Sequence, residues 1–396
     1  MKFALIVPDG AADEPQPAAD GLTPLQAARL PFIDSIVRQG VLGRANHVPG
    51  ELPSGSDVGM MSLMGYDPLA NQTGRAAIEA AARGIELGDD DWAIRCNLVT
   101  VTGGVLESYT AGHVDSDEAV RLIDCLQRDV GDESPWQFHA GVGYRNLLVF
   151  RAEAGDCGVG LTIETETTPP HDMIQMPVLG RLPRGPGASV LRDLMDRSRQ
   201  VFAGARGESR ATQAWLWGLG QRPSLTPFLD QYGKTGAVVT AVDLVRGLGR
   251  LLGLSVIEVD GATGYMDTDY AAKGRAAIAA LADHDLVVVH VEATDEASHD
   301  GDMPGKIEAL ERIDEFIVGP VHDHLARNGD YRILVSPDHP TLLRTRAHAH
   351  GTVPIAACGT GLSPGEDLHY DDITASGSSL LFDRGSDLMS WWLATD

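Results

Sequence analysis

Apolar runs closed by an acidic residue or a histidine punctuate this chain. Residues 3–8 (FALIVP) stop at Asp9, residues 284–293 (HDLVVVHVEA) run into Asp295, and residues 331–337 (YRILVSP) stop at Asp338 and His339. Runs of this length without polar alternation read as strands covered on both faces, the pattern of a parallel sheet. Residues 236–244 (GAVVTAVDL) and 254–259 (LSVIEV) supply further strand candidates. Helical spacing predicts a helix over residues 23–40, carried by Leu25, Ala28, Ile33, Ile36 and Val37, and another over 190–202. The alanine-rich stretch 73–87 favours a third. Strands alternating with helices predict an α/β fold, a mainly parallel sheet with helices on both faces.

The middle of the chain reads as a smaller α/β unit of its own. Residues 94–101 (IRCNLVTV) and 144–150 (YRNLLVF) are strand-like, and residues 115–130 have a Ser/Asp cap and helical spacing. The Gly- and Pro-dense passage 167–187 reads as a connection, which puts a boundary near Gly187. The expected division is a first part over 1–93, an inserted domain over 94–186, and a second part over 187–396.

With 396 residues the chain is long enough for this arrangement. No apolar run approaches the roughly 18 residues that cross a bilayer, so no membrane role is expected. Asp9 and Gly10 interrupt the N-terminal apolar stretch where a signal peptide would continue, which reads as a first strand of a cytoplasmic protein. Cys96, Cys125, Cys157 and Cys358 form no CxxC pair and read as reduced thiols. The net charge of −25 argues against nucleic acid as a partner. A small anionic substrate fits only if metal ions and a few arginines reverse the field locally.

Ligands of open α/β sheets bind beyond the carboxyl ends of the strands, where Asp9, Asp295–His299 and Asp338–His339 all fall. Asp295 and His299 are four apart, so one helical turn aims both at one point, and His348 follows soon after the third cluster. Carboxylates with imidazoles in this number read as a metal site. His284, His290 and His350 read as histidines satisfied by backbone or solvent. The nucleophile is sought in LPSGSDVGMMSLMGYDP, where Ser54 and Ser56 both remain candidates and Ser62 reads as a helix-surface serine. A serine at a helix start meets unpaired N–H groups that favour a phosphate, and a metal lowers the pKa of a bound hydroxyl. There is no GxxxxGK[ST] loop, and the spacing of GLGRLLG from Gly247 does not fit a dinucleotide turn.

Taken in order, VPDG, SGSDVGMMSLMGYDP, TGRAAIEAA, RCNLVTV, SYTAGH, ATDEASHDGD and SPDHPTLLRTRAHAHGTVP resemble the archaeal-type, cofactor-independent phosphoglycerate mutases of the alkaline phosphatase superfamily. The resemblance implies an alkaline-phosphatase-like fold with an inserted smaller domain. It also implies two divalent metal ions, manganese or magnesium, with zinc or cobalt as alternatives. Asp295, His299 and His348 would hold one ion; Asp9, Asp338, His339 and the Ser56 hydroxyl would hold the other. Ser56 would become a phosphoserine in the interconversion of 3-phosphoglycerate and 2-phosphoglycerate. The small phosphorylated sugar acid would be held by Arg95, His113, Arg145, His171 and Asp172, with Lys234 beside the phosphate. The runner-up is another phosphotransferase or phosphatase of the superfamily, homoserine-kinase-like, and a non-catalytic metal-binding relative comes last. The sequence departs from the family where GSDVGMM continues with methionines and where Pro340-Thr341-Leu342 replaces the usual Ser-Thr-Pro, which bears on the substrate rim.

Overall fold

The strand Lys2–Pro8 lies inside an eight-stranded sheet, and Phe3 to Val7 are wholly buried. A computed structural model describes every residue except 72–73, 132–134, 153–158, 206–208, 365–367 and 395–396, so Cys157 lies outside the described residues. Strand order is Leu381–Phe382, Val41–Ala45, Val353–Gly359, Tyr331–Val335, Lys2–Pro8, Leu286–Val291, Gly236–Val239 and Ser255–Ile257. The last five run parallel to one another. Val353–Gly359 is antiparallel to both its neighbours. Alternate residues of each central strand face opposite layers. Ala4, Ile6, Val287, Val289, Ile333 and Val335 share one core with the helices Pro31–Gln39, Tyr270–Ala280, Met303–Ile313 and Gly319–Arg327. On the opposite face Phe3 meets Trp392 edge-on at 5.3 Å. There too Gly249 of the helix Asp243–Leu251 lies so close to Val238 that a Cβ would be 2.9 Å from it.

The expected helix over 23–40 is two helices, Pro24–Ala27 and Pro31–Gln39. Pro31 has no N–H to donate back into the first helix, and the residue before a proline is pushed from helical geometry, as Leu30 is at φ −121°, ψ 56°. The helix expected over 73–87 spans Arg75–Ala82, and Gly84 follows with a left-handed φ of +70°.

The chain divides into two compact units, Met1–Gln72 with Ser224–Asp396, and Thr73–Pro223. The second is wider at both ends than the 94–186 expected. Ala76, Ala77 and Ala80 bury against Ala93, Leu147 and Val149, and the strand Gln213–Gln221 pairs along Trp92–Thr102. Both contacts join residues distant in sequence, so composition alone does not mark them. The sheet of this unit is antiparallel throughout. The helices Ser116–Leu126 and Ala188–Ala205 contribute Leu122, Leu126, Leu191 and Met195 to a core shared with Ile94, Leu98 and Trp215.

Candidate metal centre and nucleophile

Three neighbouring parallel strands deliver the polar clusters to one place. Tyr331–Val335, Lys2–Pro8 and Leu286–Val291 lie side by side and in register, so Asp338–His339, Asp9 and the helix Ala293–Asp300 emerge from the same edge. His299 Nε2 is 3.0 Å from Asp295 Oδ2 and 3.0 Å from His348 Nε2, and His348 Nε2 is 3.6 Å from the same oxygen. Beside this group, His339 Nε2 lies 3.4 Å from Asp9 Oδ1 and 3.5 Å from Asp338 Oδ2. Ser56, first residue of the helix Ser56–Leu63, brings its Oγ to 3.2 Å from His339 Nε2 and 3.4 Å from Asp9 Oδ2. Ser54 is engaged elsewhere, its hydroxyl donating to the Ala349 carbonyl at 2.8 Å.

The donor set fits divalent cations. Atoms about 2.0–2.2 Å from a common ion stand about 3.0–3.5 Å apart, close to the spacings just given. Asp9 Oδ1, Asp338 Oδ2 and Glu292 Oε2 are buried without a hydrogen-bond partner among the described residues. Burial, then the charges of Asp338, Glu292 and Asp295, hold the Asp9 carboxyl well above the usual carboxylate range. Burial likewise pushes Glu292 up to about 7. Carboxylates this close are ionised together only beside positive charge. Hydrogen bonding to Asp295 raises His299 to about 9, and the bonds from His299 and His348 outweigh burial to hold Asp295 low. His299 Nδ1 meets the Arg346 carbonyl at 2.9 Å and His348 Nδ1 meets the Ser54 carbonyl at 3.2 Å, so both rings donate from Nδ1 and turn Nε2 inward.

His290 is a residue the sequence reading undervalued. It is fully buried, with Nε2 at 2.8 Å from Asp9 Oδ2 and Nδ1 at 3.2 Å from Thr240 Oγ1. Burial drops its pKa to about 4, so it is a neutral ring that orients Asp9. Asp9, His290 and Glu292 place one ligand atom each within 4.8 Å of one another, as do Asp9, Asp295 and His339. The signal was available: one polar residue in the all-apolar run LVVVHV must find a buried partner. His284, by contrast, meets the Ala280 carbonyl and Ser255, and His350 the Leu52 carbonyl, as expected of satisfied histidines.

Lys234 is not in this cluster. It precedes the strand Gly236–Val239, and its Nζ is 5.9 Å from the Phe3 ring centroid, at the edge where the parallel strands begin. Phe3 and Asp9 are six residues apart on an extended strand, about 20 Å at about 3.3 Å per residue. The expectation that Lys234 sits beside the phosphate is corrected accordingly.

In the second unit, Arg95, Arg145, His171 and Asp172 gather around Tyr109, Tyr144 and Trp217. Arg95 lies 3.9 Å above Trp217 and Arg145 5.0 Å from Tyr144. The His171 ring is 5.4 Å from that of Trp217 and 6.3 Å from that of Tyr109, and His171 Nε2 is 3.6 Å from Asp172 Oδ1. His113 is exposed on the turn that follows Tyr109, with a left-handed φ of +59°. Arg95 is buried and its fork is taken by Glu79, with Nε to Oε2 at 3.2 Å and Nη2 to Oε1 at 3.1 Å. Burial lowers its pKa to about 10, with Glu79 opposing, and it stays cationic at neutral pH.

The family model of 2,3-bisphosphoglycerate-independent phosphoglycerate mutase matches residues 37–206. A probable 2,3-bisphosphoglycerate-independent phosphoglycerate mutase of Geobacter sulfurreducens is 43% identical, over 99% of this chain and 100% of its own. The chain belongs to this mutase family. A second mutase relative, from Methanothrix thermoacetophila, is 42% identical over the whole of both chains. The cofactor-independent phosphoglycerate mutase of Thermoplasma acidophilum superposes with a TM-score of 0.69 at 25% identity, over 99% of each chain. A Pyrococcus horikoshii protein superposes at 0.82 with 26% identity, over 100% of this chain and 98% of the other. Among the described residues, no helix of this mutase-family chain is long and apolar enough to cross a membrane.

Proposed function

We propose that this protein interconverts 3-phosphoglycerate and 2-phosphoglycerate without 2,3-bisphosphoglycerate, by parking the phosphoryl group on Ser56. The observation that carries the proposal is the position of Ser56 Oγ, 3.4 Å from Asp9 and 3.2 Å from His339 at a helix start, in a chain that matches named mutases end to end. Asp295, His299 and His348 would hold one divalent ion, and Asp9, Asp338, His339 and Ser56 the other, manganese or magnesium. Ions bound there would lower the pKa of the Ser56 hydroxyl and offset the negative charge of the transferring phosphoryl group.

In the first half-reaction Ser56 Oγ forms a bond to phosphorus while the bond from phosphorus to the glycerate oxygen breaks. The serine loses a proton and the departing oxygen gains one, so the step is neutral overall. In the second, the other glycerate hydroxyl attacks phosphoserine and gives up its proton as Ser56 recovers its own. His113, Arg145, His171 and Asp172 are proposed to hold the glycerate's carboxylate and hydroxyls, with Arg95 adding positive potential from its pair with Glu79. Planar arginine forks suit a carboxylate at two points. Glycerate that is retained returns the phosphoryl group to itself more often than to water.

The test is an enolase-coupled assay of the purified protein with 3-phosphoglycerate and Mn²⁺, with and without 2,3-bisphosphoglycerate. Equal activity in both supports the proposal, as does a phosphate on Ser56 by mass spectrometry after quenching. A folded, metal-loaded protein that fails to isomerise while transferring phosphate to another acceptor would sink it.

A further inference from the structure

Thr341 is fully buried between the two halves of the metal centre, with its Oγ1 at 2.5 Å from Asp295 Oδ1 and 3.1 Å from His339 Nδ1. A hydroxyl has one proton to give, and an ionised carboxylate oxygen only accepts. The short contact to Asp295 therefore takes that proton, and the contact to His339 must run the other way, with Nδ1–H donating to Oγ1. In the neutral ring that binds a metal, Nε2 then carries the lone pair, and it faces Ser56 Oγ at 3.2 Å, Asp9 Oδ1 at 3.4 Å and Asp338 Oδ2 at 3.5 Å. It also occupies Asp295 Oδ1 and leaves Oδ2 toward His299 at 3.0 Å and His348 at 3.6 Å.

We infer that the Thr341 hydroxyl is a positioning group that selects the ligand atom in both ion sites at once, Nε2 of His339 in one and Oδ2 of Asp295 in the other. His299 and His348 receive the same service from backbone carbonyls, which cannot be mutated away; His339 receives it from a side chain. The hydroxyl is held in place through its backbone. Buried Lys306 donates to the Thr341 carbonyl at 2.9 Å and to Asp13 at 3.0 Å, and the Thr341 N–H reaches the Ala12 carbonyl at 3.2 Å. Thr341 also pairs with His348 in a two-residue antiparallel ladder, so the residue that orients two ligands sets the register of another.

This inference rests on the two-ion reading proposed above. It is tested by titrating Mn²⁺ into the full chain, with free ion counted by electron paramagnetic resonance, for wild type, Thr341→Val and Thr341→Ser. Removing a group that orients a ligand weakens a metal by about 10–100-fold. Thr341→Val should weaken both ions by that factor, and Thr341→Ser should stay within about threefold of wild type. In the metal-free protein labelled with ¹⁵N-histidine, His339 should be the Nδ1–H tautomer in wild type and Thr341→Ser, and lose that preference in Thr341→Val. Thr341→Ala serves as a second hydroxyl-free variant should the valine not fold. Wild type binding fewer than two ions would remove the two-ion reading itself. Wild type binding two, with hydroxyl-free variants binding both as tightly or losing one alone, would overturn the bridge. Equal losses in the serine and hydroxyl-free variants would make the effect one of packing and overturn it too.

Discussion

Gly10 follows Asp9 with a left-handed φ of +61°, and a Cβ there would sit 2.3 Å from Asp295 Oδ1 and 2.6 Å from Thr341 Oγ1. Gly10→Ala therefore does two things. It forces an L residue into left-handed backbone, which costs about 1 kcal/mol. It also drives a methyl into Asp295 and Thr341. Relief to an ordinary contact of about 3.4 Å requires the carboxylate to move by about 1 Å, and overpacking of this kind costs about 1–3 kcal/mol. Gly21 separates the two effects, since it has a φ of +83° and nothing within 4 Å of where a methyl would sit. Urea unfolding of the metal-free protein should place Gly21→Ala about 1 kcal/mol below wild type and Gly10→Ala about 2–4 kcal/mol below it. A 1 Å misplacement at a reacting centre costs about 10²-fold, so enolase-coupled turnover should fall by that factor in Gly10→Ala and stay near wild type in Gly21→Ala. Gly10→Ala with the activity and stability of Gly21→Ala would refute the reasoning, because Asp295 would then not be held where the methyl collides.

Ser56→Ala should lower mutase turnover by at least about 10³-fold while the metal-free unfolding curve stays within about 0.5 kcal/mol of wild type; retained turnover would exclude the phosphoserine route. Lys306→Met leaves fully buried Asp13 without its ammonium, 3.0 Å away in the native protein, and should cost about 3–5 kcal/mol in the same unfolding measurement. A loss below about 1 kcal/mol would mean that Asp13 finds compensation elsewhere. Asp314 is buried and its pKa is raised to about 6 by burial, against the N–H bonds it accepts from Phe32 and Ile33. A raised carboxyl stabilises the fold fully below its unfolded pKa of about 3.9 and loses that contribution as pH rises through about 6, by at most about 3 kcal/mol. Asp314→Asn cannot titrate, so its stability relative to wild type should improve between about pH 4 and about pH 7; a difference independent of pH would contradict the shift.

How far the sequence carries depends on whether an interaction is local. The strand-end clusters were legible because uninterrupted apolar runs mark strands covered on both faces, and parallel strands put their carboxyl ends on one edge. Asp9, Asp295, His299, Asp338 and His339 could be named for that reason, and the i,i+4 spacing of Asp295 and His299 needed only a helical turn to bring them to 3.0 Å. The inserted unit was outlined by its own strand and helix pattern and by the Gly- and Pro-dense passage 167–187, His348 by its place soon after the third cluster, and only the choice of Ser56 over Ser54 came from the ordered motifs. Pro31 was legible too, and it broke a helix that periodicity alone had joined.

What required the tertiary structure were the pairings between distant segments. Lys234 lies at the edge where the parallel strands start, and only the register of Gly236–Val239 with Leu286–Val291 puts it on the far side from Asp9. His290 is a single polar side chain in an apolar run, and its meaning is the Asp9 carboxylate 281 positions away in sequence. Glu79 takes the Arg95 fork that a substrate carboxylate was expected to use. Local pattern determines which residues lie on which face of a strand or helix, because backbone geometry repeats every two or 3.6 residues. It contains no term for which buried donor meets which buried acceptor once chain ends and crossovers are placed, and at Thr341 that choice decides which atoms are left to hold a metal.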